Sequence, residues 1–318
     1  MLIILIILIC VCGALFTKSF LTVVNLKNFL YSMTVFGFLA LGQSMVMLVS
    51  ELNLTQGSLL SFAPTFAMFL TYKVMQLTGK NILVGGNYIT GGLALYIIFT
   101  ILIGLLVGFL MGFVIVRFNV SSLVVTLGMM YTLGGLVFFM FNGYSLYFNR
   151  LKGANWLGTA EFFGIPVSMM LLAIVACILI YLMKNTKMGR RIYATGGNER
   201  AAIYAGINTK KWKIIAFTIS GLLASIASLV YSSRVESIDP LQGQGYQIMA
   251  LGIVVVGGVS MEGGRGTLVG TLMATVLVAL VFNVMQLLSL YSWYQAMFIG
   301  TIILIAAIQQ AYNRKSLV

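Results

Sequence analysis

The sequence predicts an all-α protein, a polytopic transmembrane helical bundle of about 10 spans that forms a single domain over residues 1–318. Three observations carry this expectation. Hydrophobic residues make up 60% of the chain, charged residues only 8%, and long apolar runs alternate with short polar or glycine-containing breaks. Soluble domains carry about 25% charged residues, whereas one helical crossing of the hydrocarbon core takes about 20 apolar residues. Helices are the expected form because lipid offers no partner to an unpaired backbone N–H or C=O.

The spans follow in order. Residues 1–16 have no basic region before them and no clear small-residue cleavage pattern after them, so they read as a retained first span rather than a secretory signal. Residues 28–50 come next and end at the polar break from Glu51 to Gln56; residues 57–75 follow. The fourth span, 91–116, holds Gly104, Gly108 and Gly112 at four-residue intervals on one face. In lipid, such a seam of small residues lets helix backbones touch. Residues 121–141 and 166–183 are the next spans, and 214–231, 247–260, 266–288 and 294–311 complete the set. Gly266 and Gly270 repeat the small-residue spacing. Cys10, Cys12 and Cys177 fall inside apolar runs and read as small buried side chains, not as a disulfide framework.

The net charge of +13 does not point to nucleic acid, because the basic residues are scattered between spans and form no continuous groove. It does orient the chain. With both termini on the cytoplasmic side, the inner segments hold Arg117, the eight basic residues of 184–213, Arg265, Arg314 and Lys315. The other side holds Lys18, Lys27, Lys73, Lys80, Arg150, Lys152 and Arg234, so the loop 184–213 carries most of the asymmetry.

An internal echo joins the two halves. Ala40-Leu41-Gly42 and Ala250-Leu251-Gly252 each open an apolar run that ends in an acidic, glycine-containing break. Gly57-Ser58-Leu59 and Gly266-Thr267-Leu268 follow those breaks. Weak repeats of this kind mark transporters, with chance likeness between apolar segments as the competing explanation.

The segment 184–213 is the most informative. Asn198 is a suitable helix N-cap, Glu199 favours a first turn and Gly206 can close a C-terminus, which predicts a short helix over 199–205. So short a helix needs something to pack on. Its smooth side of Ala201, Ala202 and Ala205, flanked by Arg190, Arg191, Arg200, Lys210 and Lys211, suits docking to a soluble partner. A solvated loop that only fixes topology is the plainer reading of the same charges.

Glu51 would cost about 2.5 to 3.5 kcal/mol at a helix centre, so it belongs at a span end or beside a wet cavity. The turn Gly263-Gly264-Arg265-Gly266 lacks the ending of a phosphate-binding loop. There is no His, and none of the spans has a charged residue near its middle. Proton coupling, metal binding and carriage of an ion all need such groups. A neutral solute handled by hydroxyls and amides fits better. Gln43, Ser44, Asn53, Thr126, Asn142 and Asn283 are the candidates to line its path, each competing with a role in helix–helix hydrogen bonding. A membrane-embedded enzyme acting on lipid or isoprenoid would need an intramembrane nucleophile, acid pair or metal set that the spans lack.

Three segments carry a likeness to a known family. The run from Gly189-Arg190-Arg191 through Gly196-Gly197-Asn198-Glu199-Arg200-Ala201-Ala202 to Ala205-Gly206-Ile207 is the most specific, followed by Gly257-Gly258-Val259-Ser260-Met261-Glu262-Gly263-Gly264-Arg265-Gly266-Thr267. Ser121-Ser122-Leu123-Val124-Val125-Thr126-Leu127-Gly128 is the third. On these residues the chain, from about residue 35 to 311, resembles the membrane subunits of bacterial ABC importers for simple sugars, the ribose-type permease family, with branched-chain amino-acid permeases as more distant relations. One departure stands out: where that family usually reads Gly-Gly-Ile-Asp-Leu-Ser, this chain has Ser50-Glu51-Leu52-Asn53-Leu54-Thr55.

The resemblance implies a multi-pass protein of the bacterial inner membrane with no cofactor and no catalytic residue of its own. Its partners would be cytoplasmic ATPase subunits, a second copy or homologous permease, an extracytoplasmic solute-binding protein and the lipid bilayer. Gly189, Arg190, Gly196, Gly197, Asn198, Glu199, Ala201, Ala202 and Gly206 would then couple the chain to the ATPase. A secondary carrier, or a permease for an amino acid, a nucleoside or an autoinducer, is the alternative.

Overall fold

A computed structural model of the chain describes residues 2–77, 92–147, 154–291, 293–301, 304 and 308. The first six helices are α1 (Leu2–Phe16), α2 (Val23–Met47), α3 (Gln56–Leu77), α4 (Gly92–Phe118), α5 (Ser122–Phe141) and the single turn α6 (Trp156–Thr159). The next six are α7 (Val167–Asn185), α8 (Lys187–Gly197), α9 (Glu199–Tyr204), α10 (Thr209–Val235), α11 (Tyr246–Val256) and α12 (Leu268–Leu287). Residues 293–301 are helical as well. Among the described residues, seven helices, α2, α3, α4, α5, α7, α10 and α12, are long and apolar enough to cross a membrane.

Two expected spans come out shorter than a crossing, and a third lies largely outside the described residues. The 247–260 segment is the 11-residue α11. At 1.5 Å per residue such a helix reaches only about halfway through a hydrocarbon core of about 30 Å. It stops where Gly257 and Gly258 follow, the latter at φ 82°. The 15 residues of α1 also fall short of a full crossing. Of 294–311, residues 302, 303, 305–307 and 309–311 lie outside the described residues, as do Gly91, Lys80, Arg150, Lys152, Arg314 and Lys315.

Helix α10 is the centre of the bundle. Helix α4 lies against it through the glycine seam. A Cβ on Gly108 would stand 2.5 Å from the Phe217 carbonyl oxygen, and one on Gly112 would stand 2.9 Å from Ile214 Cα, so only glycine allows this approach. The opposite side of α4, with Ile98, Leu102, Leu106, Phe109 and Phe113, is exposed yet fully apolar. A helix with small residues inward and large apolar ones outward is solvated by lipid, which makes this a multi-pass membrane protein. Helix α2 packs on another side of α10 and is the most enclosed span, with residues 33–49 all buried.

Cysteines correct the sequence expectation. Cys12 and Cys177 are exposed and Cys10 is only partly covered, because each sits on the lipid-facing side of its helix. In lipid an apolar thiol has no need to be inside.

At the end of the bundle where α2 begins, two small ribbons close the loops. Strand β1 (Leu146–Tyr147) pairs antiparallel with β4 (Ser237–Ile238), and β2 (Glu161–Phe162) with β3 (Ile165–Pro166). Lys27 and Glu161 form an ion pair of 2.7 Å there, and Arg234 donates to Asn28 at 2.7 Å.

Candidate functional site

Three helix breaks meet at the other end of the bundle. They are the α2–α3 connection, the end of α8 and the α11–α12 turn, so the two halves of the sequence echo touch each other. Gly264 N donates to the Leu48 carbonyl at 3.1 Å. The Ser50 hydroxyl lies 2.8 Å from the Gly196 carbonyl and also against the carbonyl of Glu262. Ser50 has φ 63°, which costs an L-residue roughly 1–2 kcal/mol, and these contacts hold it there. A Cβ on Gly196 would collide with the Leu48 carbonyl and stand 2.8 Å from Gly264 N, so α8 ends on bare backbone. The Tyr193 hydroxyl donates to the Gly266 carbonyl at 2.9 Å, and burial pushes its phenol up, which keeps it a donor.

Helix α8 was not expected from the sequence, whose cap signals in this segment mark a helix over 199–205 alone. It forms because Thr186 caps it, accepting from Met188 N at 3.2 Å, while Gly189, Ile192, Thr195 and Gly196 make one buried side. A Cβ on Gly189 would sit 2.6 Å from Met183 Cα, so this glycine lets α8 fold back on α7.

The predicted short helix is α9, which ends one residue earlier than expected. Asn198 Oδ1 accepts from Ala201 N at 3.0 Å. Gly206, at φ 76°, closes it as Gly206 N donates to Ile203 O and Ile207 N to Ala202 O, both at 2.9 Å. Six residues need tertiary anchors, and α9 has two. Ala202 is buried, only 4% exposed. Lys213, near the start of α10, stands 2.9 Å from Glu199 and 2.9 Å from Glu51. The break in the membrane helices is thus tied to α9 through one ammonium group. Arg191 adds a cation over the Trp212 ring at 5.6 Å.

The expected smooth side of α9 is divided, since Ala202 turns inward while Ala201 and Ala205 face out. Large side chains supply the outer surface instead: Ile203 is exposed, and Tyr204 is 92% exposed. Arg190, Gly197 and Arg200 are exposed as well. Sequence reasoning missed Ser50, Ile203, Tyr204 and Lys213. The last carried a usable signal, as the final cation before a long apolar run must find a counter-ion.

Of the polar path candidates, Asn53 belongs to the α2–α3 break of this hub and the others lie elsewhere on the spans. Asn53 Oδ1 accepts from Thr55 N at 3.0 Å and its amide donates to Ser220 at 3.0 Å, so it folds the break. Thr126 is buried and donates to Ser122 O of its own helix at 2.7 Å. Asn283 and Asn25 exchange amide hydrogen bonds at 2.8 and 3.0 Å, joining α12 to α2. Ser44 meets Thr271 at 2.8 Å. Asn142 caps α5 in the left-handed region and is exposed. Gln43 differs: it is fully buried, and neither amide atom has a protein partner among the described residues.

Residues 25–307 match the family model described as branched-chain amino acid transport system / permease component. The ribose import permease protein RbsC of Escherichia coli K12 is 33% identical over 92% of this chain and 87% of its own length. RbsC of Bacillus subtilis 168 is 32% identical over 93% and 87%. The L-arabinose permease AraH of Azospirillum brasilense is 29% identical over 95% and 84%. No solved structure matches. The match to the family model, together with relatives above 30% identity along nearly the whole sequence, means that the chain belongs to the branched-chain amino acid transport system / permease component family.

Proposed function

We propose that the chain is the membrane subunit of an ATP-binding-cassette importer in the bacterial inner membrane, carrying a neutral small solute, a simple sugar, into the cytoplasm. The names of the ribose and arabinose relatives support the solute class. The observation that carries the reading is α9: a short capped helix, outside the spans, with Ile203 and Tyr204 exposed and its inner side tied through Lys213 to the α2–α3 break. An exposed aromatic on a rigid helix is an anchor for a protein partner.

In this reading ATP hydrolysis belongs to separate cytoplasmic subunits that dock on Gly197, Asn198, Arg200, Ala201, Ile203 and Tyr204. Gly189, Gly196 and Ala202 hold the coupling segment in shape from beneath, Glu199 and Gly206 fix the two ends of α9, and Arg190 stands exposed beside them. Closure of the ATPases pushes on α9, and Lys213 with the Ser50–Gly196 contact passes the displacement to α2, α3 and the α11–α12 turn. Both termini are cytoplasmic, a second copy or homologue completes the pore, and an extracytoplasmic binding protein delivers the solute. Of the six candidate path residues, Gln43 keeps free amide donors and acceptors for a solute hydroxyl, while Ser44, Asn53 and Asn283 bond to other elements, Thr126 bonds within its own helix and Asn142 caps α5.

Purification in mild detergent followed by reconstitution tests this. ATPase subunits should copurify, and uptake of a labelled sugar should require ATP. Uptake by the chain alone, driven by an ion gradient, would overturn the proposal.

A further inference from the structure

A cavity of about 640 Å³ opens on the side of the bundle between the end of α7, α8 and the start of α12. Lys184, in the last turn of α7, and Arg190 line it, together with apolar walls of Ile180, Met183, Leu268 and Val269. Both cations are exposed, and neither has a carboxylate within ion-pair distance among the described residues. Two cations lining one cavity raise the local concentration of anions. The wall identifies which kind.

Below Lys184 and Ile180, the residues at helical spacing on the same side of α7 are Cys177, Ala173 and Met170, all exposed. This strip runs from the cavity along most of the length of α7. A non-helical protein segment lying along it would leave backbone polar groups unpaired in lipid. A helix from a second copy, with 6 acidic against 19 basic residues in the chain, would bring few anions to the cations. An acyl chain under an anionic headgroup meets both demands. Basic pockets between transmembrane helices at the membrane surface take anionic headgroups, and lysine and arginine stems cover apolar surface while their charges reach the phosphate level.

We propose that this cavity is a binding site for an anionic glycerophospholipid, with its phosphate between Lys184 and Arg190 and one acyl chain along Ile180, Cys177, Ala173 and Met170. The lipid fills the gap where α8 folds back on α7, and so braces the segment that Gly189 and Tyr193 position.

Native mass spectrometry of the full chain in mild detergent, with phosphatidylglycerol and phosphatidylethanolamine added in equal amounts, tests the site. One phosphatidylglycerol should stay bound in preference to phosphatidylethanolamine. Lys184→Gln with Arg190→Gln should lower its retention about thirtyfold, at about 1 kcal/mol for each cation. Lys210→Gln with Lys211→Gln, which removes the same charge elsewhere on this end, should leave retention unchanged. Ile180→Trp, which keeps both cations and fills the cavity, should also expel the lipid and serves if the double variant does not fold. Equal retention of the two lipids, loss in the Lys210/Lys211 variant to the same degree, or displacement by millimolar inorganic phosphate would each overturn the proposal.

Discussion

Lys213 Nζ lies 2.9 Å from Glu51 Oε1, and the two side chains are only 15% and 13% exposed. The pair joins α10 to the α2–α3 break, and Glu199 on α9 shares the same ammonium. An exposed ion pair is worth less than about 1 kcal/mol, but a mostly buried carboxylate left without its cation costs more.

Lys213→Met should therefore destabilise the folded chain by about 1.5–3 kcal/mol, the range for hydrogen bonds to a charged group. Thermal unfolding in detergent reads it. A double-mutant cycle with Glu51→Gln should show coupling, because the second change removes the orphaned charge. Additive losses would mean that the pair is not formed.

Gly196 and Gly197 are neighbours in sequence and opposites in tolerance. A Cβ on Gly196 would collide with backbone of Leu48 and Gly264, while one on Gly197 meets nothing within 4 Å. Gly196→Ala should lower the unfolding midpoint clearly, by an overpacking cost of about 1–3 kcal/mol. Gly197→Ala should be neutral or slightly stabilising, since alanine is the better helix residue. The same contrast is expected between Gly108, wedged on α10, and Gly128, with open space around it.

Asn25 and Asn283 hold α2 to α12 by a reciprocal amide pair. Hydrogen bonds between membrane helices contribute about 0.6–2 kcal/mol. Asn283→Leu should cost about that much stability with uptake retained, if Asn283 serves only the helix contact. Loss of uptake at unchanged stability would return Asn283 to the solute path.

Much of this architecture was legible from residue patterns. The glycine seam of the fourth span was readable because four-residue spacing has one meaning in an apolar helix, and Asn198 with Gly206 marked both ends of α9. What stayed hidden depends on contacts distant in sequence. Nothing near Ser50 announces that its hydroxyl meets residues 146 and 212 positions away. Nothing in a run of alanines says that Ala202 turns inward while Tyr204 stands out. The length of α11 was misread for a local reason: hydropathy does not register that Gly257 and Gly258 end the helix before it crosses.

The exposed side of α9 gives the sharpest test of coupling. Tyr204 is 92% exposed and contributes nothing visible to the packing of its own chain, so Tyr204→Glu should insert and unfold as the wild type does. If an ATPase subunit seats on this helix, the change removes an aromatic anchor and places a charge in the interface, which costs about 2 kcal/mol or more of binding. Uptake in reconstituted vesicles should fall by more than about tenfold, and ATP hydrolysis should no longer respond to solute. Gly197→Glu should act alike. Ala202→Glu, by contrast, buries a charge beneath α9 and should lower stability itself, so the variants separate loss of docking from loss of fold. Normal ATP-driven uptake with Tyr204→Glu and Gly197→Glu would mean that the partner does not sit on α9.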